Sequence, residues 1–84
     1  MKLLEGKAVL VTGGSTGIGR AVAIEAARQG ADVGLNFLGS IDEAQSCVAE
    51  IEALGRRAFQ AEGDVADPET AGAFVARAVD AFGK

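Results

Sequence analysis

The chain has 84 residues and a formal net charge of −4 at pH 7, and 49% of its residues are hydrophobic. This length limits it to one small domain, and the apolar fraction is typical of a globular protein, not a disordered one. The acidic balance argues against nucleic acid as a partner, and no apolar run approaches the roughly 20 residues that cross a membrane.

Rare and missing residue types restrict the chemistry further. Residues 1–7 lack the long apolar core of a signal peptide, which predicts a cytoplasmic location. Cys47 is the single cysteine, so no disulfide can form within the chain, and we interpret it as a packing residue on a helix. Because the chain has no histidine, it cannot by itself build a His-dependent catalytic triad or a histidine metal site.

The first strand and helix follow from residues 7–30. Residues 7–12 are nearly all apolar and rich in β-branched side chains, which predicts a strand buried on both faces of a parallel sheet and central in a complete one. A helix is predicted over residues 17–29, where many alanines suit close packing against a sheet. We expect Gly30 to end this helix in the left-handed conformation.

A second strand is predicted over residues 32–37, in which Gly34 marks a close approach of the first helix. Ser40 and Glu43 have the spacing of a capping box, so the second helix is predicted to begin there and to end at Gly55. One face of that helix is apolar and is expected to be buried: Ala44, Cys47, Val48, Ile51 and Leu54.

Residues 57–65 predict a third strand that runs into a loop and lies toward the edge of the sheet. Asp67, Pro68 and Glu69 supply an N-cap, a proline at the first helical position and an acid in the first turn. The third helix is predicted to end near Phe82, before Gly83, with an apolar face of Ala71, Phe74, Val75, Ala78 and Phe82.

Three strands that alternate with three helices predict an α/β fold. Right-handed crossovers give the strand order 3-2-1, with the first two helices on one face of the sheet and the third on the other. This is the first β-α-β-α-β-α half of a Rossmann-type doubly wound parallel sheet, so residues 1–84 are expected to form an incomplete dinucleotide-binding domain. The first strand then has an unpaired apolar edge, which is a pairing or aggregation site.

The turn after the first strand has the glycine spacing Thr12-Gly13-x-x-x-Gly17-x-Gly19. A helix N-terminus carries unpaired N–H groups and partial positive charge, so it binds anions, and glycines let a phosphate approach the backbone closely. The alternative is a glycine turn that only lets the helix pack close to the strand.

This turn resembles the cofactor loop of the short-chain dehydrogenase/reductase family, whose pattern T-G-x-x-x-G-[IL]-G is matched by Thr12, Gly13, Gly17, Ile18 and Gly19. Gly63-Asp64-Val65 resembles the family's D-V pair after the third strand. The resemblance implies that Asp64 accepts a hydrogen bond from the adenine amino group and that Val65 packs on the ring, although Asp64 could simply brace its loop. The implied cofactor-binding residues are Gly13, Ser15, Thr16, Gly17, Ile18, Gly19, Phe37, Leu38, Asp64 and Val65.

Cofactor choice in this family depends on the end of the second strand. Phe37 stands where NAD-selective members place aspartate, and Leu38 stands where many NADP-selective members place arginine. Thr16 stands where NADP-using members often have a basic residue. Because neither charge is present, we expect NADP or NAD to be used, with a lean toward NADP, whose 2′-phosphate could accept hydrogen bonds from Ser15, Asn36 or Ser40. Alternatively, Phe37 and Leu38 only close the adenine pocket.

The resemblance implies an NAD(P)-dependent oxidoreductase that transfers a hydride between nicotinamide and a sugar, alcohol or ketone. In this family a tyrosine acts as acid and base beside a lysine and a serine. The chain contains no tyrosine and ends before that block, so no catalytic residue is assigned to it and we expect it to be the N-terminal part of a longer enzyme.

Residues 36–44 resemble sugar 1-dehydrogenases and 3-oxoacyl-carrier-protein reductases, and the family implies a homo-oligomer, usually a tetramer. One alternative is a non-catalytic fragment that pairs its open sheet edge with a partner chain. Another is a methyltransferase or an ATP-binding protein, which the missing G-K-[ST] motif and the match at Asp64-Val65 disfavour.

Overall fold

The structure is a computed structural model that describes residues 3–13, 17–39 and 41–83. Strands and helices alternate as predicted: β1 (Ala8–Thr12), α1 (Gly17–Arg28), β2 (Asp32–Phe37), α2 (Ile41–Ala53), β3 (Ala58–Glu62) and α3 (Pro68–Phe82). The predicted bounds of β2 and α3 are confirmed, and α1 ends one residue earlier than predicted. Residues 63–65 form a loop and do not extend β3.

The three strands form one parallel sheet in the order β1-β2-β3, which confirms the predicted topology. All six residues of β2 are buried, whereas only Val11 of β1 is buried and Leu10 is 36% exposed. The prediction that β1 is buried on both faces is therefore wrong for the described residues, because β1 lies at an edge of their sheet. The unpaired edge that the sequence predicts is present there.

The sheet separates two apolar clusters, and this confirms the predicted placement of the first two helices on one face and the third on the other. On one face α1 and α2 pack over β2 around Val33 and Leu35, and Cys47 is fully buried there, as predicted. On the other face α3 packs through Phe74 and Phe82 onto Phe59 of β3. The Phe59 ring lies 5.8 Å from that of Phe74 and 5.4 Å from that of Phe82, centroid to centroid, so the second cluster is largely aromatic.

The buried face of each helix is narrower than the sequence predicts. Leu54, which was predicted on the buried face of the second helix, follows the end of α2 and is 42% exposed, and on α3, Val75 is 52% exposed. On α1 the residues that reach the sheet are Ala23, Ala26 and Ala27, whereas Val22 is 49% exposed. A helix packed on one side of a sheet buries only the stripe that faces it, and the uncovered valine lies beside the open edge of β1, in an apolar groove with Leu4 and Val9.

Gly34 is closely packed, but not against α1 as predicted. A Cβ atom at this position would lie 2.6 Å from Cζ of Phe59 and 2.9 Å from Cδ2 of Leu10, both on neighbouring strands. Side chains of a strand alternate between faces, so Gly34 faces the α3 side while Val33 and Leu35 face α1 and α2. The missing side chain makes room for the Phe59 ring, which anchors the aromatic cluster.

This packing predicts that Gly34→Ala lowers the free energy of unfolding of the native protein by about 1–3 kcal/mol, the usual cost of overpacking a core. Urea unfolding measures it. Gly72→Ala is the control, because Gly72 lies within α3 and a Cβ there would meet no atom within 4 Å. The control is expected to stabilise by about 0.5–1 kcal/mol. An unchanged urea midpoint for Gly34→Ala would contradict the packing described.

Candidate functional site

The carboxyl ends of the three strands meet at one edge of the sheet. Thr12 pairs in register with Asn36, and Phe37 pairs with Glu62, so the segments that follow the strands start side by side. These are the connection that contains Gly13 and leads to Gly17, here called the glycine loop, the β2–α2 turn that begins at Leu38, and the β3–α3 loop of residues 63–67. In open α/β sheets, ligands bind at this edge.

The glycine loop leads directly into α1. Gly13 has φ 64° and Gly17 has φ 57°, a left-handed conformation that favours glycine. Apart from its chain neighbours, a Cβ atom at either position would meet no atom of the described residues within 4 Å. Close packing against the strand therefore does not explain these two glycines, whereas an approaching ligand would use that space. Ser15 and Thr16, two of the predicted contacts, lie outside the described residues.

The start of α1 suits an anion. Its first turn carries no acidic side chain, so nothing in that turn opposes the partial positive charge of the helix N-terminus. Ile18 is 84% exposed and Gly19 is half-buried within the same turn. The exposed Ile18 side chain offers apolar surface beside the glycine loop.

The two predicted residues at the end of β2 differ in exposure. Leu38, the first residue after β2, is 71% exposed. Phe37 is 2% exposed, so its side chain belongs to the core and offers little surface to a ligand. Its carbonyl accepts a hydrogen bond from the N–H of Gly63 (3.0 Å), which ties the end of β2 to the β3–α3 loop.

Asp64 braces the loop in which it lies. Its Oδ1 accepts a hydrogen bond from the N–H of Ala66 at 2.9 Å, and its carbonyl accepts one from the N–H of Asp67 at 3.0 Å. The bracing role that the sequence left open is therefore present, and it uses one of the two carboxylate oxygens of an exposed residue. Val65 is half-buried against the aromatic cluster.

The predicted N-cap of α3 is confirmed and stiffens the same loop. Asp67 accepts hydrogen bonds from the N–H of Glu69 and from the hydroxyl of Thr70, both at 3.2 Å. A Cβ atom on Gly63 would lie 2.7 Å from the methyl group of Thr70. The first turn of α3 therefore packs closely on the residue before Asp64 and holds the loop in position.

Asn36 has a different role from the one predicted. It is 4% exposed, and its side-chain amide donates to the carbonyls of Ala61 (3.3 Å) and Gly63 (3.0 Å). Because both amide hydrogens are engaged, Asn36 has no amide hydrogen left for a 2′-phosphate, for which the sequence offered Ser15, Asn36 or Ser40 as donors. The side chain instead joins β2 to the end of β3. Ser40, the other predicted donor in this turn, lies outside the described residues.

Sequence reasoning missed one charged residue at this edge. Arg20 follows Gly19 in α1, and its guanidinium donates to the carbonyl of Glu43 in the first turn of α2. No motif identifies this contact, because it joins residues 23 positions apart. Within residues 3–13, 17–39 and 41–83, no group of three or more metal-binding side chains comes together. None of the helices in those ranges is long and apolar enough to span a membrane.

Comparison with known proteins places these features in one family. A family model described as short chain dehydrogenase matches residues 7–84. Over its whole length, the chain is 70% identical to an L-rhamnose 1-dehydrogenase (NAD(P)(+)) from Sphingomonas sp., and the match covers 33% of that protein. It is also 40% identical to a 3-oxoacyl-[acyl-carrier-protein] reductase from Staphylococcus aureus, in a match that covers 92% of this chain and 31% of that protein.

Solved structures agree with the sequence comparisons. A short chain dehydrogenase from Burkholderia cenocepacia, determined in complex with NADP, superposes with a TM-score of 0.91 at 51% identity. The match covers 95% of this chain and 33% of that one. The chain thus spans about a third of the length of the relatives it matches.

Proposed function

The chain belongs to the short-chain dehydrogenase family, and on that premise we propose that it binds a nicotinamide dinucleotide as the first part of an NAD(P)-dependent oxidoreductase. One observation carries the proposal. The strand, glycine turn and helix present two left-handed glycines with free space around their Cα atoms, at a helix N-terminus without acidic side chains. This arrangement fits a dinucleotide pyrophosphate.

Each element at the carboxyl edge has a part in this proposal. Gly13, Ser15, Thr16, Gly17 and Gly19 hold the pyrophosphate and its adjoining ribose by backbone and hydroxyl groups. Asp64 presents its remaining carboxylate oxygen to the adenine amino group, and Val65 packs on the ring. The exposed side chains of Leu38 and Ile18 supply apolar walls, whereas the buried Phe37 supports the end of β2 from the core. When bound, the nicotinamide would supply hydride transfer to or from the substrate, and the tyrosine that moves the proton in this family is not among these 84 residues.

We propose NADP or NAD as the cofactor, with a lean toward NADP, because no carboxylate stands at residues 37 and 38 to repel a 2′-phosphate. The proposed substrate is a sugar, alcohol or ketone. The 70% identical relative is named for L-rhamnose and for NAD(P)(+), which supports a sugar. A cytoplasmic location and a homo-oligomer, as a tetramer, complete the proposal.

Fluorescence titration of the native protein with NADPH and NADH, together with its intact mass, tests this function. We expect saturable binding of both nucleotides, tighter for NADPH. We also expect a mass near three times the 8.5 kDa of this chain, since relatives are about three times as long. A mass of 8.5 kDa without saturable binding of either nucleotide would contradict the proposed enzyme function and would support the alternative, a non-catalytic fragment that pairs its open sheet edge with a partner chain.

That alternative is favoured by one observation, the open edge of β1. Among the described strands, β1 pairs only with β2. Beside its open edge, one face of the sheet exposes Leu10, and the other face has the apolar groove of Leu4, Val9 and Val22. An apolar edge of this kind requires further chain to cover it, from the same protein or from a partner. The intact mass distinguishes the two sources.

A further inference from the structure

The Arg20 side chain connects the first turns of α1 and α2. Its Nη1 donates to the carbonyl oxygen of Glu43 at 3.1 Å, and its Nη2 donates to Oγ of Ser46 at 3.3 Å. The same Nη2 lies 3.4 Å from Oε1 of Glu50. With 26% of its side chain exposed, Arg20 is more enclosed than Arg28 of the same helix, which is 62% exposed.

The two segments that Arg20 connects are the ones proposed to contact the cofactor. The α1 turn begins at Gly17, where the glycine loop ends, and the α2 turn follows the β2–α2 turn that contains Leu38. The bond to Glu43 reaches a main-chain carbonyl, so it fixes the backbone of α2 itself. The rigid, planar guanidinium suits such a link, because it can bond several acceptors at once in a fixed geometry.

We propose that Arg20 is a positioning residue for the adenosine end of the dinucleotide. By holding the first turn of α2 against α1, it sets the distance between the glycine loop and the β2–α2 turn. A ligand that touches both segments binds tightly only if their spacing is already correct, since ordering them on binding costs affinity. The inference rests on the proposed function and adds a residue that lies just outside the T-G-x-x-x-G-[IL]-G pattern.

Cys47 provides an internal probe of this link. It lies one residue after Ser46 in α2 and is fully buried. Burial raises the pKa of its thiol above the ordinary value, while the nearby Arg20 charge lowers it and Glu50 raises it. The thiol therefore stays protonated and enclosed at neutral pH, and its alkylation reports the separation of α2 from the sheet.

The test compares Arg20→Met, Arg20→Lys and Arg28→Met in the native protein. Arg28→Met is the matched control, because Arg28 lies in the same helix and pairs only with the exposed Glu25, at 3.7 Å, among the described residues. The dissociation constants are measured for NADPH and for reduced nicotinamide mononucleotide, which lacks the adenosine half. The alkylation rate of Cys47 is followed by peptide mapping.

We expect Arg20→Met to raise the dissociation constant of NADPH about tenfold, as for the loss of one charge-assisted hydrogen bond, and to speed alkylation of Cys47. Arg20→Lys is expected to recover part of the affinity and keeps the test valid if the methionine variant fails to fold. The mononucleotide should bind all folded variants alike, because it does not reach the β2–α2 turn.

Equal NADPH affinity in the folded Arg20 variants and Arg28→Met would overturn the role of Arg20. An equal loss of affinity for NADPH and the mononucleotide would also overturn it, since this would indicate a general loss of structure. If the wild-type protein bound no NADPH, the proposed function would fail together with this inference. NADPH binding by the wild-type protein therefore distinguishes a failure of the proposed function from a failure of the Arg20 inference alone.

Discussion

Arg57→Met is expected to lower the free energy of unfolding of the native protein by about 3 kcal/mol, the low end of the range for a broken buried ion pair. The partner is Asp32, whose side chain is 4% exposed at the start of β2. Its Oδ2 accepts from Nη2 (2.9 Å) and Nε (3.2 Å) of Arg57, and its Oδ1 accepts from the Arg57 N–H (3.0 Å). Without the guanidinium, the buried carboxylate loses both of these side-chain hydrogen bonds to its Oδ2.

The Arg57 side chain also holds the end of α3. It donates to the carbonyls of Ala81 (3.1 Å) and Phe82 (3.3 Å), and it lies 5.4 Å from the centre of the Phe82 ring. One ion pair thus joins β2, the start of β3 and α3, at the opposite edge of the sheet from the candidate site. The expected loss in free energy of unfolding lies at the low end of the range for buried ion pairs, because Arg57 is 58% exposed and Arg56 remains 3.8 Å from Asp32.

Urea unfolding of three further variants completes this test. Arg28→Met removes only an exposed pair with Glu25 and is expected to cost less than about 0.5 kcal/mol. Asp32→Asn is expected to cost less than Arg57→Met, because the exposed guanidinium can return to water. The double variant should lose less than the sum of its two single variants. Equal losses for Arg57→Met and Arg28→Met would refute this account of the ion pair.

The second large effect concerns the glycine loop. Gly17→Ala is expected to weaken NADPH binding by about 100-fold, because the added Cβ occupies the space where the proposed pyrophosphate meets the backbone N–H groups. The residue has φ 57°, so alanine there also costs about 1 kcal/mol of backbone strain. Fluorescence titration with NADPH measures the first effect and thermal unfolding measures the second.

Gly55→Ala separates strain from lost binding. Gly55 follows α2, has φ 84°, and a Cβ there would likewise meet nothing within 4 Å. Its strain is comparable, but it lies at the end of α2 away from the β2–α2 turn. We expect a similar loss of stability and an unchanged NADPH affinity. If both variants lowered the affinity equally, Gly17 would have no special contact with the cofactor.

Local sequence patterns determined the elements and their order. The apolar run before Gly13, the N-cap at Asp67 and the glycine after each helix depend on neighbouring residues, and each is confirmed in the structure. The strand order followed from the handedness of β-α-β crossovers, which is a general property of parallel sheets. The family, too, could be identified from the glycine spacing and the Asp64-Val65 pair, because backbone access at that turn requires glycine at set positions.

Only the tertiary structure decided which distant residues meet. Asn36 was one of three candidate donors to a 2′-phosphate, but strand alternation and register turn it toward the carbonyls of Ala61 and Gly63. Gly34 makes room for the Phe59 ring and not for a helix. The links from Arg20 to Glu43 and from Arg57 to Asp32 join residues 23 and 25 positions apart. Such contacts depend on the packing of whole elements, and a single sequence shows periodicity and spacing within an element but not the partners across elements.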